Sequence, residues 1–382
     1  MEKKPLERRT LVKALGAGAA VGALGLLAGC ESKECAPQAA TGAPMLNLNK
    51  TLEWKMVTTW PKNFPGLGTG ANYLAELLEQ MSGGRIKVKV FGAGELVPAF
   101  GTFEAVSKGT AELGHGAAYY WKGKSSAAQF FTAVPFGLNA QEMSAWINFG
   151  GAQQLWDDLY RPFGLKPFAA GNTGVQMGGW FNKEINTLAD FSGLKMRMPG
   201  LGGEVLARLG GTPVSLPGGE IFQSLQSGAI DATEWVGPYN DLAFGFYKIA
   251  KYYYGPGWHE PGSEMECLVN LKTFEALPSD LKAVVSAAMR VARDQMLAEF
   301  TARNGQALET LITQHKVQLR QFSDQILTKL GQTAQAVVAE VAQQDPESQK
   351  IYDSFAKFRF EAAKWTRLGE QGFAQARQLT LS

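Results

Sequence analysis

Hydrophobic and polar positions change period several times along this chain, and each change marks an element. Leu52-Glu53-Trp54-Lys55-Met56-Val57-Thr58 alternates as a strand with one buried face does. From Gly66 to Met81 the apolar positions Leu67, Ala71, Leu74, Leu77, Leu78 and Met81 recur at helical spacing, and Ser82-Gly83-Gly84 ends the run. Arg85 to Phe91 alternates again. Pro98 to Lys108 reads as a short amphipathic helix and Ala111 to Ala117 as a short strand. Strands alternating with helices in this way predict a parallel-rich sheet with helices on its faces.

A second set follows. Lys166 to Ala170 and Gln176 to Phe181 read as strands, as does Lys195 to Met198, which leads through Gly200-Leu201-Gly202-Gly203 into a helix ending at Leu209. Gly219 to Ser227 is helical and Ala229 to Glu234 extended. From Pro278 the pattern becomes long and helical: Ser279 to about His315, Asp324 to Gln343, and Pro346 to about Arg377. The expected fold is α/β with two lobes, the chain crossing between them, and a helical region from about residue 279 that packs on the lobes or on a partner.

Ahead of residue 51 the pattern has no period. Residues 31–50 are rich in Ala, Pro, Gly, Ser and Asn and read as a tether. Residues 1–29 have the layout of an export signal: Arg8-Arg9, then Thr10-Leu11-Val12-Lys13, then an uncharged Gly/Ala/Leu/Val run from Ala14 to Gly29. The arginine pair is twin-arginine-like. Leu27-Ala28-Gly29-Cys30 resembles a bacterial lipobox, which implies a lipidated Cys30 as the new N-terminus. Sixteen Gly-rich residues fall short of the ~20 apolar residues that a membrane span needs. This leader holds five Lys/Arg against two Asp/Glu, so its removal takes the formal charge from +2 to −1 over the remaining 353 residues. The basic surplus lies in the leader, and nothing points to nucleic acid. Besides Cys30, the cysteines are Cys35 in the tether and Cys267 in the body, which make no disulfide framework. The histidines, 115, 259 and 315, form no zinc-type spacing.

Three segments carry candidate chemistry: Gly171-Asn172-Thr173-Gly174-Val175-Gln176-Met177-Gly178-Gly179-Trp180, Gly193-Leu194-Lys195-Met196-Arg197-Met198-Pro199-Gly200, and Leu225-Gln226-Ser227-Gly228-Ala229-Ile230-Asp231-Ala232-Thr233-Glu234-Trp235. Arg197, inside an apolar strand, needs an anionic partner. Its planar fork of donors suits a carboxylate, either a substrate's or that of a core Glu or Asp. In this order the segments resemble the solute-binding protein of tripartite ATP-independent periplasmic (TRAP) transporters, from Thr58-Thr59-Trp60-Pro61 to the C-terminal helices. Glu234-Trp235-Val236-Gly237-Pro238 and Tyr254-Gly255-Pro256-Gly257-Trp258-His259-Glu260-Pro261-Gly262 are similar to the branch that binds small 2-oxo or 2-hydroxy monocarboxylates with a metal ion.

The resemblance implies a type II-like, two-lobed periplasmic-binding-protein fold. It implies that Arg197 holds the acid's carboxylate in a bidentate pair. Gln176, Glu234 and the main-chain carbonyl of Trp235 would ligate a cation, with Glu260 as a fourth ligand. Trp60, Tyr119, Tyr120 and Trp235 are candidates for the pocket walls, ordinary core packing being the other role open to each. Hard oxygen donors suit Na⁺ or Ca²⁺, with Mg²⁺ third, and not zinc. If both glutamates bind, the site with Arg197 and a monocarboxylate sums to −2 and calls for a divalent ion. If only Glu234 binds, the sum is −1 and Na⁺ suffices.

The expected partners are therefore a small organic monocarboxylate, the membrane permease of a TRAP system, and the membrane itself through the lipid anchor. A homodimer through the C-terminal helices is also expected. Tyr352, Phe355, Phe358, Phe360, Ala363, Trp365 and Phe373 spread round a helix instead of forming one stripe, and a helix apolar all round is normally buried. Exchange of this helix with a second copy covers it; folding back across both lobes of a monomer is the competing arrangement. Two other functions compete with transport: a ligand-sensing partner of a receptor, and an enzyme acting on small organic acids. Against the enzyme, no nucleophile–base arrangement appears, and Gly200-Leu201-Gly202-Gly203 lacks the spacing of a dinucleotide loop.

Overall fold

The computed structural model describes residues 51–381. The leader, Cys30, Cys35 and the rest of the tether lie outside the described residues. Along the chain, the first lobe contains β1 (Leu52–Thr58), α1 (Leu67–Met81), β2 (Ile86–Phe91), α2 (Thr102–Ser107), β3 (Leu113–Gly116), α3 (Ala140–Phe149), α4 (Ala152–Tyr160) and β4 (Leu165–Asn172). The second holds β5 (Gly179–Phe181), β6 (Lys195–Arg197), α5 (Gly200–Arg208), β7 (Thr212–Val214), α6 (Gly218–Gln226), β8 (Ala232–Thr233), α7 (Pro238–Phe244) and β9 (Tyr252–Gly255). The chain then returns through β10 (Glu264–Asn270) and α8 (Leu271–Glu275) to the 35-residue α9 (Ser279–Thr313), followed by β11 (Gln318–Gln321), α10 (Asp324–Ala342), α11 (Pro346–Leu368) and α12 (Glu370–Gln378).

The first sheet has five strands in the order β2-β1-β3-β10-β4, and the second six, β11-β9-β5-β8-β6-β7. In the first, β1 pairs in parallel with β2 and β3, whereas β10 is antiparallel to both β3 and β4. In the second, β6 is parallel to β7 and β8, and β5 is antiparallel to β8 and β9. Both sheets are thus mixed. The antiparallel pairs arise because β4 leads out of the first sheet and β10 leads back into it. Residues 173–178 and 256–263 are these crossings, and α9 is a third connection, about 52 Å long at 1.5 Å per residue. It packs against α1 and β4 of the first lobe and α7 of the second.

Most elements expected from periodicity are present, and the differences are local. Pro98 to Lys108 divides into a 3₁₀ turn, Ala99–Gly101, and α2. Only Gly179–Phe181 of the run from Gln176 is strand, because Gln176 to Gly178 serve the crossing. Only Ala232–Thr233 of Ala229 to Glu234 is strand, so Glu234 stands just past the end of β8. The last helix breaks at Gly369, dividing α11 from α12.

The C-terminal helices fold back across both lobes. α10 packs on α5, while α11 places Ile351 and Phe355 in the core of the first lobe. Tyr352 and Phe358 rest half-buried on that core. Beyond it Phe360, Ala363, Trp365 and Phe373 are exposed. No helix among the described residues is long and apolar enough to cross a membrane.

Candidate functional site

Strand ends aim the side chains. In open α/β sheets, loops beyond the carboxyl ends of parallel strands form the ligand crevice. Trp60 follows β1, and Tyr119 and Tyr120 follow β3, both at the carboxyl ends of the first sheet. Arg197 ends β6 opposite Thr233 of the parallel β8. The Glu234 N–H donates to the Arg197 carbonyl at 3.2 Å, which leaves Glu234 and Trp235 just beyond the second sheet. Gln176 and Glu260 come from the two lobe crossings. The structure thus brings all eight anticipated residues to one place.

Arg197 and Glu234 form a buried ion pair. The Arg197 Nη1 group donates to Glu234 Oε1 and, at 3.4 Å, to the Glu234 main-chain carbonyl. Nε donates to the Leu216 carbonyl at 3.2 Å, and Nη2 to the Tyr120 hydroxyl at 3.2 Å. The guanidinium also lies 5.0 Å from the Trp235 ring centroid, a cation–π distance. These contacts engage four of the five guanidinium donors and leave one on Nη2. Burial, the largest influence, acts against the Arg197 charge, but Glu234, Tyr120, Tyr119 and Glu260 together outweigh it, so the arginine pKa is raised.

The other Glu234 oxygen, Oε2, lies 3.3 Å from His259 Nε2. Glu234, His259 and Glu260 each place a donor atom within 4.8 Å of the others, and all are buried. Burial and the neighbouring Glu234 charge push the Glu260 carboxyl up, while His259, the Ser263 hydroxyl that donates to it and Arg197 hold it back. Gln176 sits against this cluster: its N–H donates to the Glu260 carbonyl at 3.2 Å. Its side-chain amide N–H donates to Thr173 Oγ1 at 3.2 Å, but its Oε1 is buried and without a protein partner.

A buried, unpaired amide oxygen costs free energy unless something satisfies it. Two carboxylates and that oxygen form a hard donor set, which fits Na⁺ or Ca²⁺. His259 adds one nitrogen.

Aromatic side chains pack beside Arg197. Trp60 lies 6.1 Å from Trp235 and 6.3 Å from Tyr120, and Tyr119 packs edge-on to Tyr120 at 4.7 Å. Trp60 is fixed by its indole N–H, which donates to His115 Nδ1 at 2.8 Å. Burial keeps the Tyr119 and Tyr120 hydroxyls protonated, raising both above the usual phenol range.

Residues 56–345 match the sequence profile of the bacterial extracellular solute-binding proteins, family 7. The chain belongs to this family. A monocarboxylate 2-oxoacid-binding periplasmic protein of Nostoc sp. (strain PCC 7120) is 42% identical over 330 residues, covering 86% of this chain and 90% of the relative. A TRAP transporter solute-binding protein from Bordetella bronchiseptica RB50, a dimer with copurified calcium and picolinate, superposes with a TM-score of 0.85. It is 38% identical, over 87% of this chain and 99% of that one. A TRAP periplasmic solute-binding protein from Pseudoalteromonas atlantica T6c, with bound sodium and pyruvate, gives a TM-score of 0.83. Its identity is 40%, over 85% of this chain and 99% of that one. The two-lobed fold and the TRAP assignment are those expected from the sequence. The protein is an extracytoplasmic binding component of a TRAP system.

His259, Ser263 and Thr173 were not anticipated as site residues. The sequence carried a signal for His259, which precedes Glu260 in a Gly- and Pro-rich stretch. Ser263 and Thr173 are ordinary hydroxyls in loops and carry none.

Proposed function

We propose that this solute-binding protein takes up a small 2-oxo or 2-hydroxy monocarboxylate, such as pyruvate or lactate, together with Na⁺ or Ca²⁺, and delivers it to a TRAP permease. The observation that carries this reading is the buried Arg197–Glu234 pair beside Glu260 and the unpartnered Gln176 Oε1. The ligands of the relatives from Bordetella and Pseudoalteromonas support it.

Arg197 would bind the acid's carboxylate. Only one guanidinium donor is uncommitted, so a bidentate acid takes the place of Glu234 Oε1 or the Tyr120 hydroxyl. A cation supplies positive charge that holds acid and glutamates together. Gln176, Glu234, the Trp235 carbonyl and Glu260 would hold it. Trp60, Tyr119, Tyr120 and Trp235 exclude water and limit size. With both glutamates ionised, charge balance favours a divalent ion.

The protein returns its acid unchanged. Calorimetric titration with pyruvate and lactate, with and without the cation, tests binding, and recovery of the pyruvate unaltered after incubation tests the absence of turnover.

The leader supports export and anchoring through lipidated Cys30. Mass spectrometry of the mature N-terminus tests it, with diacylglycerol on Cys30 as the expected result. The exposed Phe360, Trp365 and Phe373 support a homodimer through the C-terminal helices, as does the dimeric Bordetella relative.

A further inference from the structure

The glycines of the Tyr254 to Gly262 segment have no role in the pocket chemistry above, yet one of them stands where the two lobe crossings meet. The Gly257 N–H donates to the Gln176 carbonyl at 2.8 Å, and the Gln176 N–H donates back to the Glu260 carbonyl at 3.2 Å. The same two crossings are joined again further along. The Thr173 N–H donates to the Ser263 carbonyl at 3.1 Å, and the Ser263 N–H to Thr173 Oγ1 at 3.3 Å. Each crossing carries one side chain of the cation set.

This approach leaves no room for a side chain on Gly257. A Cβ there would lie 2.4 Å from the Gln176 carbonyl oxygen and 2.6 Å from its carbonyl carbon. Both are main-chain atoms, so a change of rotamer cannot relieve the clash. The crossings would have to separate, and with them Gln176 and Glu260.

We propose that Gly257 is a positioning residue for the cation: by letting the two crossings lie main chain against main chain, it keeps Gln176 Oε1 and the Glu260 carboxylate in register as a preassembled half of the cation shell. The other half, Glu234 and the Trp235 carbonyl, comes from the second lobe. The half carried by the crossings is held by bonds between the crossings themselves, so its geometry does not depend on contacts with the second-lobe half. This inference rests on the proposed cation site, and its tests separate the two.

The first test compares Gly257→Ala with Gly123→Ala, a change at a loop position where a Cβ would meet nothing. Calcium is titrated into each folded protein by calorimetry, with pyruvate present at saturation. Gly257→Ala is expected to weaken calcium binding by about tenfold or more, in the range found when groups that orient metal ligands are removed. Gly123→Ala is expected to match the wild type. Equal calcium affinity in wild type and Gly257→Ala overturns the positioning role while leaving the proposed function intact. A wild type that binds no cation overturns the proposed function instead.

The second test needs no variant and stands if Gly257→Ala does not fold. Hydrogen exchange of the Gln176 and Gly257 amides is measured in the wild type with and without calcium and pyruvate. Protection of both amides in both conditions is expected. Exchange at the rate of exposed amides when calcium and pyruvate are absent overturns the proposal.

Discussion

Arg197 and Glu234 face each other across neighbouring parallel strand ends, and both are buried. The sequence left the arginine's partner open between a substrate and a core carboxylate. A core carboxylate, Glu234, is in place, and the proposed substrate contact would share the same guanidinium. A buried pair of this kind does not by itself add stability, but removing one member leaves an uncompensated charge.

Arg197→Ala should therefore act on both folding and binding. Stability should fall by about 3–5 kcal/mol, the usual consequence of stranding a buried charge. Pyruvate affinity in the folded fraction should fall by about 2–5 kcal/mol, as for loss of one member of a buried charge pair. Denaturant titration reads the first and calorimetry the second. A folded variant with unchanged affinity removes Arg197 from the site.

The periodic segments were legible before the fold was known because their burial is one-sided. α1 buries Leu67, Ala71, Leu74, Leu77 and Leu78, five of the six residues its spacing picks out; Met81, in its last turn, is exposed. The strands flanking the return crossing, β9 and β10, were not legible. β10 is buried on both faces except at its last residue, so it has no alternation to read. β8 was read within the run from Ala229 to Glu234, but only two residues of that run pair with β5 and β6. The candidate site residues were named from the resemblance to a family. Their assembly was not legible, since Gln176 and Glu260 are 84 positions apart and meet only because the chain crosses twice.

Glu266 offers a test of the core that does not involve the pocket. It lies buried on β10, accepts a hydrogen bond from the Trp121 indole, and is pushed up to about 8 by burial. Its folded pKa is above the ordinary 4.5. The stability linked to the neutral form is thus full below pH 4.5 and is lost as pH rises towards 8. The slope is about 1.4 kcal/mol per pH unit for one proton. Glu266→Gln removes this component. Its unfolding free energy should rise relative to wild type between pH 5 and 8, by up to about that slope. Parallel stability profiles would contradict the assignment.

The exposed half of the C-terminal helices predicts association. Phe360, Trp365 and Phe373 are 68%, 68% and 63% exposed. With residues 1–30 removed, light scattering at micromolar concentration should give a dimer. Changing Phe360, Trp365 and Phe373 together to serine should give a monomer with unaltered pyruvate affinity, because none of them touches the pocket. A monomeric parent protein would contradict the dimer.

The central claim is that acid and cation bind together. The most direct measurement is calorimetric titration of pyruvate into protein stripped of cations by exhaustive chelation in Na⁺-free buffer, repeated after adding back calcium or sodium. The expected result is binding that weakens by about tenfold or more on stripping, since nothing then offsets the repulsion between the acid and the buried glutamates, and that returns with the cation. Full pyruvate affinity in the stripped protein would contradict it.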